Sequence, residues 1–216
     1  MPKLGLLIAL LSLAVGVRAQ TTFQLSGTIS SVSGTSAFAV GQPFTITVAY
    51  RTDLTDANSN TQIGLYDPAI TSYEFNYANG AYVGTASDGR FFIYDNFELG
   101  KDETQMDIAG TTNFASVDGY TFNPDASGPY FFLTNNSGSV FSSDILPTIF
   151  PTTGWDSGNF TLGWGQDEFD MFSPAISVNG TITSVSAVPE PATTAVLAGA
   201  LALLAVLCWR HRPRQA

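Results

Sequence analysis

The 216-residue sequence has few charged residues and almost no cysteine or histidine. Only 12% of its residues are charged, against about 25% in a typical globular chain. The single cysteine, Cys208, and the single histidine, His211, both lie near the C-terminus. Residues 20–187 therefore contain neither, which excludes disulfides, Cys/His zinc sites and Ser-His-Asp or Cys-His catalysis from that region.

Positive charge is also scarce between the two ends of the chain. Residues 20–187 hold all of the 18 acidic residues except Glu190, and only Arg51, Arg90 and Lys101 as cations. Three cations against seventeen acids give a net charge of −14. Nucleic-acid binding depends on Lys and Arg contacts to phosphate, and anionic membrane surfaces attract basic segments. The region is therefore not expected to bind nucleic acid or to adsorb electrostatically to anionic membranes.

The first 19 residues have the order of a secretory signal peptide. Lys3 precedes the apolar run 4–17, and Val17 and Ala19 are small residues at positions −3 and −1 of a cleavage site before Gln20. A buried N-terminal helix is the alternative, but Arg18 would end it just before a Thr-rich strand pattern. The chain is therefore expected to be exported and cut by signal peptidase.

Residues 188–216 combine a short acidic motif, an apolar run and a basic tail. The motif is Pro189, Glu190 and Pro191. Residues 192–209 follow without a charge, and a run of about 18 is at the short end of what a membrane-spanning helix needs. The run is apolar on all faces, which disfavours a core helix of a soluble domain. Three arginines close the chain and predict a cytoplasmic end by the positive-inside rule: Arg210, Arg212 and Arg214.

This C-terminal order resembles the PEP-CTERM sorting signal of Gram-negative bacteria. The resemblance rests on the motif at 189–191, the apolar helix directly after it and the closing arginines. It implies recognition by exosortase, cleavage near the motif, and passage from an inner-membrane-anchored precursor to the cell surface or extracellular matrix. The two prolines keep the motif extended and outside the following helix. Residues 20–187 are less specifically similar to other PEP-CTERM proteins, and the family assigns them no shared activity.

Residues 20–187 predict an all-β domain, an antiparallel β-sandwich or jelly roll. Short segments rich in β-branched and aromatic residues alternate with turn signals, and no segment has a capped helical period. Asn79-Gly80 and Asp88-Gly89 predict hairpin turns and so a three-strand meander. The predicted strands are 22–33, 44–50, 72–77, 81–86, 91–94, 130–134, 160–164 and 176–186.

One short sequence occurs twice, near the two ends of this domain. Residues 27–33 and 180–186 are identical except that Ser30 in the first stands where Thr183 stands in the second. No copies lie between them, so a solenoid or propeller is not indicated. Similar composition would explain the match, but equivalent positions in the sheet would explain it better. We therefore expect the first and last strands to be neighbours and both domain ends to lie at one pole.

Three groups of oxygen-bearing side chains are candidate ligands for a structural Ca²⁺, the only cofactor considered. The group at 53–60 lacks the invariant glycine and terminal glutamate of an EF-hand, and clusters of Asp, Asn and Ser are ordinary loop residues. Solvated loop acids are therefore the favoured interpretation of each group. The first group is Asp53, Asp56, Asn58 and Asn60; the second is Asp102, Glu103 and Asp107; the third is Asp167, Glu168 and Asp170.

Binding of extracellular polysaccharide is the leading functional hypothesis for the domain. Surface aromatic rings stack on sugar faces, and Trp155, in a loop of Thr-Gly-Trp-Asp-Ser-Gly, is the best single candidate. Trp164 and the pairs 91–92 and 131–132 are interpreted as packing. A structural matrix or adhesin protein without a small ligand is the first alternative. A glycoside hydrolase using two carboxylates is the second, but no motif selects such a pair, so the domain is expected to be non-catalytic.

Overall fold

Eleven antiparallel strands form one curled sheet in the computed structural model of the protein. It describes residues 20–108, 112–122, 129–165 and 174–188, together with the single residue 199. The prediction of an all-β antiparallel fold is confirmed, with one continuous sheet. The strands are β1 (Gln20–Ser33), β2 (Pro43–Arg51), β3 (Ile63–Tyr66), β4 (Ile70–Tyr77), β5 (Tyr82–Ala86), β6 (Gly89–Asn96), β7 (Lys101–Ile108), β8 (Thr112–Asn113), β9 (Tyr130–Asn135), β10 (Ser157–Trp164) and β11 (Ile176–Ala187), with a helical turn α1 (Phe97–Gly100) between β6 and β7.

The predicted targeting segments fall outside the described residues. These are the signal peptide 1–19, the motif 189–191, the apolar helix 192–209 apart from position 199, and the closing arginines. In the part of the chain that the structure describes, no helix is long and apolar enough to cross a membrane.

The sheet curls so that its two halves face each other across an aromatic core. The strands are ordered β3-β6-β7-β9-β10-β11-β1-β2-β4-β5-β8. Tyr50 of β2 and Phe91 of β6 have ring centroids 5.1 Å apart, although five strands separate them in the sheet. The ring centroids of Phe75 on β4 and Phe160 on β10 are 5.4 Å apart, although these two strands are not neighbours in the sheet either. Trp164 is fully buried, as predicted. The interior is therefore filled mainly by rings projecting from both halves.

The repeated sequence forms the seam between β1 and β11. The two strands pair antiparallel, with Thr28 opposite Thr181, Gly27 opposite Ile182 and Ile29 opposite Gly180. The two copies are thus related by a local two-fold axis between the threonines. Each strand also bulges once, and the extra residues are Ser30 and Thr183, the one position at which the copies differ.

Pairing of β1 with β11 brings the two ends of the domain together. The Val188 amide donates a hydrogen bond of 3.1 Å to the Thr22 carbonyl, beside the start of β1. The predictions that the first and last strands are neighbours and that the domain ends share a pole are therefore confirmed.

Two glycines of the repeat make room for two core rings. Gly27 lies opposite Phe44 of β2, and Gly180 lies opposite Phe160 of β10. The two ring centroids are 4.3 Å apart. A Cβ atom on Gly27 would overlap the Thr181 carbonyl oxygen and lie 2.8 Å from the Phe44 ring, and one on Gly180 would overlap the Phe160 ring and lie 2.7 Å from the Phe44 ring. Both distances are too short for a real side chain, so the close ring packing requires glycine at both positions.

The predicted meander is wrong after its first hairpin. β4 and β5 do form the predicted hairpin: Tyr77 pairs with Tyr82, Asn79 and Gly80 lie at the centre of the loop 78–81, and Ala78, Asn79 and Gly80 all have positive φ. Asp88, at a φ of 60°, leads into β6, which pairs with β3 and β7 rather than with β5. The turn at 88–89 therefore carries the chain from one half of the sheet to the other.

Candidate functional site

A row of aromatic side chains faces outward on the half of the sheet formed by β6, β7 and β9. Burial alternates strictly along these strands, so one residue in two points away from the core. Phe91 and Phe131 are fully buried, whereas their neighbours Phe92 and Phe132 point to the opposite side and are only half-buried. We call this surface the aromatic face; its residues are Arg90, Phe92, Tyr94, Glu103, Gln105, Asp107, Tyr130, Phe132 and Thr134.

The strand register places these side chains in straight rows across the sheet. Phe92, Gln105 and Phe132 are direct cross-strand neighbours. Because β7 lies between them, the two phenylalanines stand about 9.5 Å apart. Along β6, the rings of Phe92 and Tyr94 are nearly parallel, with centroids 6.2 Å apart and an interplanar angle of 10°. The face thus offers two aromatic positions with an amide side chain between them.

Polar groups on the aromatic face hold one another in place. Arg90 pairs with Asp107 and lies 5.9 Å from the centroid of the Phe92 ring. Glu103 accepts a 3.2 Å hydrogen bond from the Thr134 hydroxyl. Burial and, secondarily, the nearby carboxylates of Glu103 and Glu98 raise the pKa of Tyr94. Its phenol, protonated at neutral pH like any tyrosine, therefore keeps its proton further into the alkaline range.

Sequence reasoning missed this face because it interpreted the phenylalanine pairs as packing. Two adjacent residues in a strand point to opposite sides of the sheet, so only one member of each pair can enter the core. Strict alternation in Arg90–Tyr94 and Tyr130–Thr134 was the available signal, and it places Phe92 and Phe132 outward.

Trp155, the predicted glycan contact, borders an open groove but is also packed. Its ring stacks on Phe150 at 6.0 Å and meets Phe141 edge-on at 5.5 Å, and its Nε1 donates to the Pro151 carbonyl at 2.9 Å. The groove has a volume of about 360 Å³ and runs between the loop at 152–158 and β11. Trp155 is therefore a half-buried wall of a groove rather than a free surface ring.

Two buried polar side chains fix the long loop that contains Trp155. Asp102 and Asn135 are cross-strand partners and are 0% and 3% exposed. Asp102 accepts hydrogen bonds from the amides of Val140 and Phe141, both at 2.7 Å, and from that of Asn96 at 3.0 Å. Asn135 donates to the Gly154 carbonyl at 2.6 Å. Interpreting Asp102 as a solvated loop acid was wrong, because three backbone amides replace water around its carboxylate.

The first proposed calcium group uses its oxygens to stabilise its own loop. Oδ1 of Asp56 accepts from the Asn58 amide at 2.8 Å and from the Leu65 amide at 2.8 Å. Asn58 and Asn60 each accept from the amide two residues on, at 3.0 Å. This is a series of Asx turns. Asp53 instead pairs with Arg51 at 2.9 Å.

The other acidic groups also fail to converge on a metal position among the described residues. Asp102, Glu103 and Asp107 lie on β7, where alternation sends Asp102 to the core and the other two to the aromatic face. Asp167, Glu168 and Asp170 lie outside the described residues. In the ranges that the structure describes, no three acidic, cysteine or histidine side chains are grouped closely enough to hold a metal ion.

Comparison with known proteins adds no relative: no protein-family model, curated protein or solved structure matches the chain.

Proposed function

We propose that the protein is an exported, non-catalytic domain that binds polysaccharide of the extracellular matrix on its aromatic face. The observation that carries the proposal is the cross-strand row of Phe92, Gln105 and Phe132, whose half-buried side chains lie on the outer side of the sheet. Ring faces attract the C–H faces of sugars, and the side-chain amide between them can bind hydroxyl groups.

The negative net charge of the domain favours a neutral glycan over an anionic glycan as the ligand. Residues 20–187 carry a net charge of −14, and Glu103 and Asp107 both lie on the aromatic face. An anionic polymer would be repelled by these carboxylates. A neutral polysaccharide meets no such penalty, and its hydroxyls can donate hydrogen bonds to them.

The spacing of the carboxylates supports binding rather than hydrolysis. Glu103 and Asp107 are four residues apart on the same face of β7, so about 13 Å separates them. Glycoside hydrolases usually place their two catalytic carboxyls about 5–9.5 Å apart. Asp107 is moreover paired with Arg90 and Glu103 is bonded to Thr134.

Sorting to the surface by exosortase completes the proposed function. Export by residues 1–19, transient anchoring by 192–209 and release near Pro189–Pro191 would bring the domain to a matrix rich in glycans. Changing Pro189 and Glu190 to alanine is expected to leave the uncut precursor in the inner membrane, which fractionation and immunoblotting would detect. Normal release of that variant would contradict the sorting proposal.

Glycan binding is tested by affinity electrophoresis in gels containing neutral or acidic polysaccharides. The Phe92→Ser and Phe132→Ser double variant is expected to lose binding to neutral glycans by roughly tenfold or more, since each aromatic contact contributes about 0.5–1.5 kcal/mol. Thr45→Ala with Thr47→Ala, on the outer surface of β2, is the matched control and should bind normally. Trp155→Ala changes the groove and leaves the aromatic face intact, so it shows which of the two surfaces binds the glycan.

The outcomes distinguish the proposed binding site from its alternatives. Loss only in Trp155→Ala would move the site to the groove. Retention in the matrix without binding of the native protein to any glycan would favour a structural or adhesin role. Release of reducing sugar would favour a hydrolase.

A further inference from the structure

Two large apolar side chains project from the loop that joins β9 to β10. Ile145 is 69% exposed and Ile149 is 76% exposed. Burying such side chains is favourable, so two exposed isoleucines four residues apart form a candidate contact surface. We call residues 140–151 the isoleucine loop.

The isoleucine loop is held firmly against the domain, so its exposure is not a result of poor packing. Tyr66 donates to the Asp144 carbonyl at 2.9 Å and accepts from the Leu146 amide at 2.9 Å. Tyr50 donates to the Pro147 carbonyl at 2.7 Å. Leu146 and Phe150 are buried in the core between and beside the isoleucines. The loop therefore presents Ile145 and Ile149 outward in a fixed arrangement.

The isoleucine loop lies where both ends of the domain emerge. The Thr21 hydroxyl, next to the start of β1, donates to the Thr148 carbonyl at 2.6 Å. Thr22 accepts a hydrogen bond from Val188, the residue after β11. The two isoleucines thus stand beside the point at which the chain leaves for the sorting signal.

We infer that Ile145 and Ile149 insert into the periplasmic leaflet of the inner membrane while the precursor is anchored. This inference rests on the anchor proposed above. The predicted membrane helix begins at Ala192, and the four steps from Val188 to Ala192 span at most about 14 Å. So short a connection keeps the adjoining loop at the bilayer surface.

The low charge of the isoleucine loop supports a lipid surface as its binding partner. The isoleucine loop contains one charged residue, Asp144, in a domain of net charge −14. The domain as a whole is repelled by anionic lipids, so a weakly charged apolar loop beside the anchor is the part that can approach them. Interfacial apolar groups insert about 5–10 Å, to the boundary of headgroups and acyl chains.

The inference is tested in the full-length precursor reconstituted into vesicles of phosphatidylethanolamine and phosphatidylglycerol. A Cys208→Ser background removes the one native cysteine. A fluorophore is then attached at Ile149→Cys or, as a matched control, at Val40→Cys. Val40 is 64% exposed and lies in the loop bonded to Ile29, roughly 25 Å along β1 from Thr21. Nitroxide lipids labelled near the headgroup are expected to quench position 149 several-fold more than position 40.

Each other result overturns the inference in a recognisable way. Equal quenching at both positions in protein that resists carbonate extraction would overturn the loop contact and leave the anchor standing. Extraction of the precursor by carbonate would overturn the anchor and the loop contact together. Cross-linking of two chains through position 149 without lipid quenching would show that a second copy covers the loop instead.

Discussion

The outer surface of β11, β1, β2 and β4 carries mainly short hydroxyl and amide side chains, whereas that of β6, β7 and β9 carries rings and carboxylates. We call the first the hydroxyl half and the second the aromatic half. The hydroxyl half is held by long, regular strand pairing around a two-fold seam. The aromatic half depends on side chains that bind a long loop. Under the function proposed above, the hydroxyl half provides the scaffold and the aromatic half provides the binding surface.

The largest expected effect comes from removing the buried carboxylate of the aromatic half. Asp102→Ala leaves three backbone amides without their acceptor, so we expect a loss of about 3–5 kcal/mol in the free energy of unfolding. Thr47→Ala on the hydroxyl half removes only a 3.3 Å contact from Gln24 and should cost less than about 0.5 kcal/mol. Urea denaturation followed by tryptophan fluorescence measures both. Equal losses of unfolding free energy in the two variants would contradict the difference proposed between the two halves.

The seam of the hydroxyl half gives the next largest effect. A methyl group on Gly27 or Gly180 meets the packed rings of Phe44 and Phe160, so each alanine variant should lose about 1–3 kcal/mol. Because both substitutions displace Phe44, the double variant should lose less than the two separate losses combined. Thermal unfolding of the three variants provides the measurement. A neutral Gly180→Ala would contradict the close packing of Phe44 and Phe160 against the seam.

A smaller effect on stability is expected at two buried tyrosines, with opposite signs. Tyr73 is 1% exposed, and its hydroxyl finds no hydrogen-bond partner among the described residues. Tyr73→Phe should therefore stabilise the protein by up to about 1 kcal/mol. Tyr50→Phe loses the bond that ties β2 to the isoleucine loop and should cost about 1 kcal/mol. Differential scanning calorimetry should show opposite shifts in Tm; parallel shifts would refute the assignment.

The smallest effect on stability is expected only at alkaline pH. Burial raises the pKa of Tyr82 to about 12. Above about pH 10 the unfolded chain ionises this phenol while the folded chain keeps its proton, so stability falls as pH rises towards about 12. Tyr82→Phe should reduce this fall and leave the stability near neutral pH almost unchanged apart from its bond to Ala115. Urea midpoints across the alkaline range test this, and an unchanged slope would count against it.

The sequence predicted the strands that alternate apolar and polar residues and missed those that do not. All eight predicted segments overlap a strand. β7 was missed because two of its inward residues, Asp102 and Thr104, are polar, so the strand shows little apolar alternation. Both are satisfied by backbone groups: Thr104 donates to the Phe92 carbonyl at 2.9 Å. Such partners come from distant segments and leave no local signal.

The site was predictable only in part for the same reason. The repeat indicated the β1–β11 seam because symmetric pairing preserves the sequence match. Trp155 was correctly placed in a loop, but its packing on Phe150 depends on the path of residues 141–151. The aromatic face needs β6 and β9 on either side of β7. Strand order of that kind follows from the global fold and not from any short pattern.

The interior position of β11 has a mechanical consequence. This strand, the last that the structure describes, lies between β10 and β1 and is hydrogen-bonded to both. Ladder bonds in antiparallel sheets run perpendicular to the strands. Tension applied through the chain after Val188 therefore loads both rows of bonds in shear, so that many must yield together. An edge strand would instead peel away bond by bond, so the interior position of β11 would protect the domain from unfolding under tension from the proposed anchor.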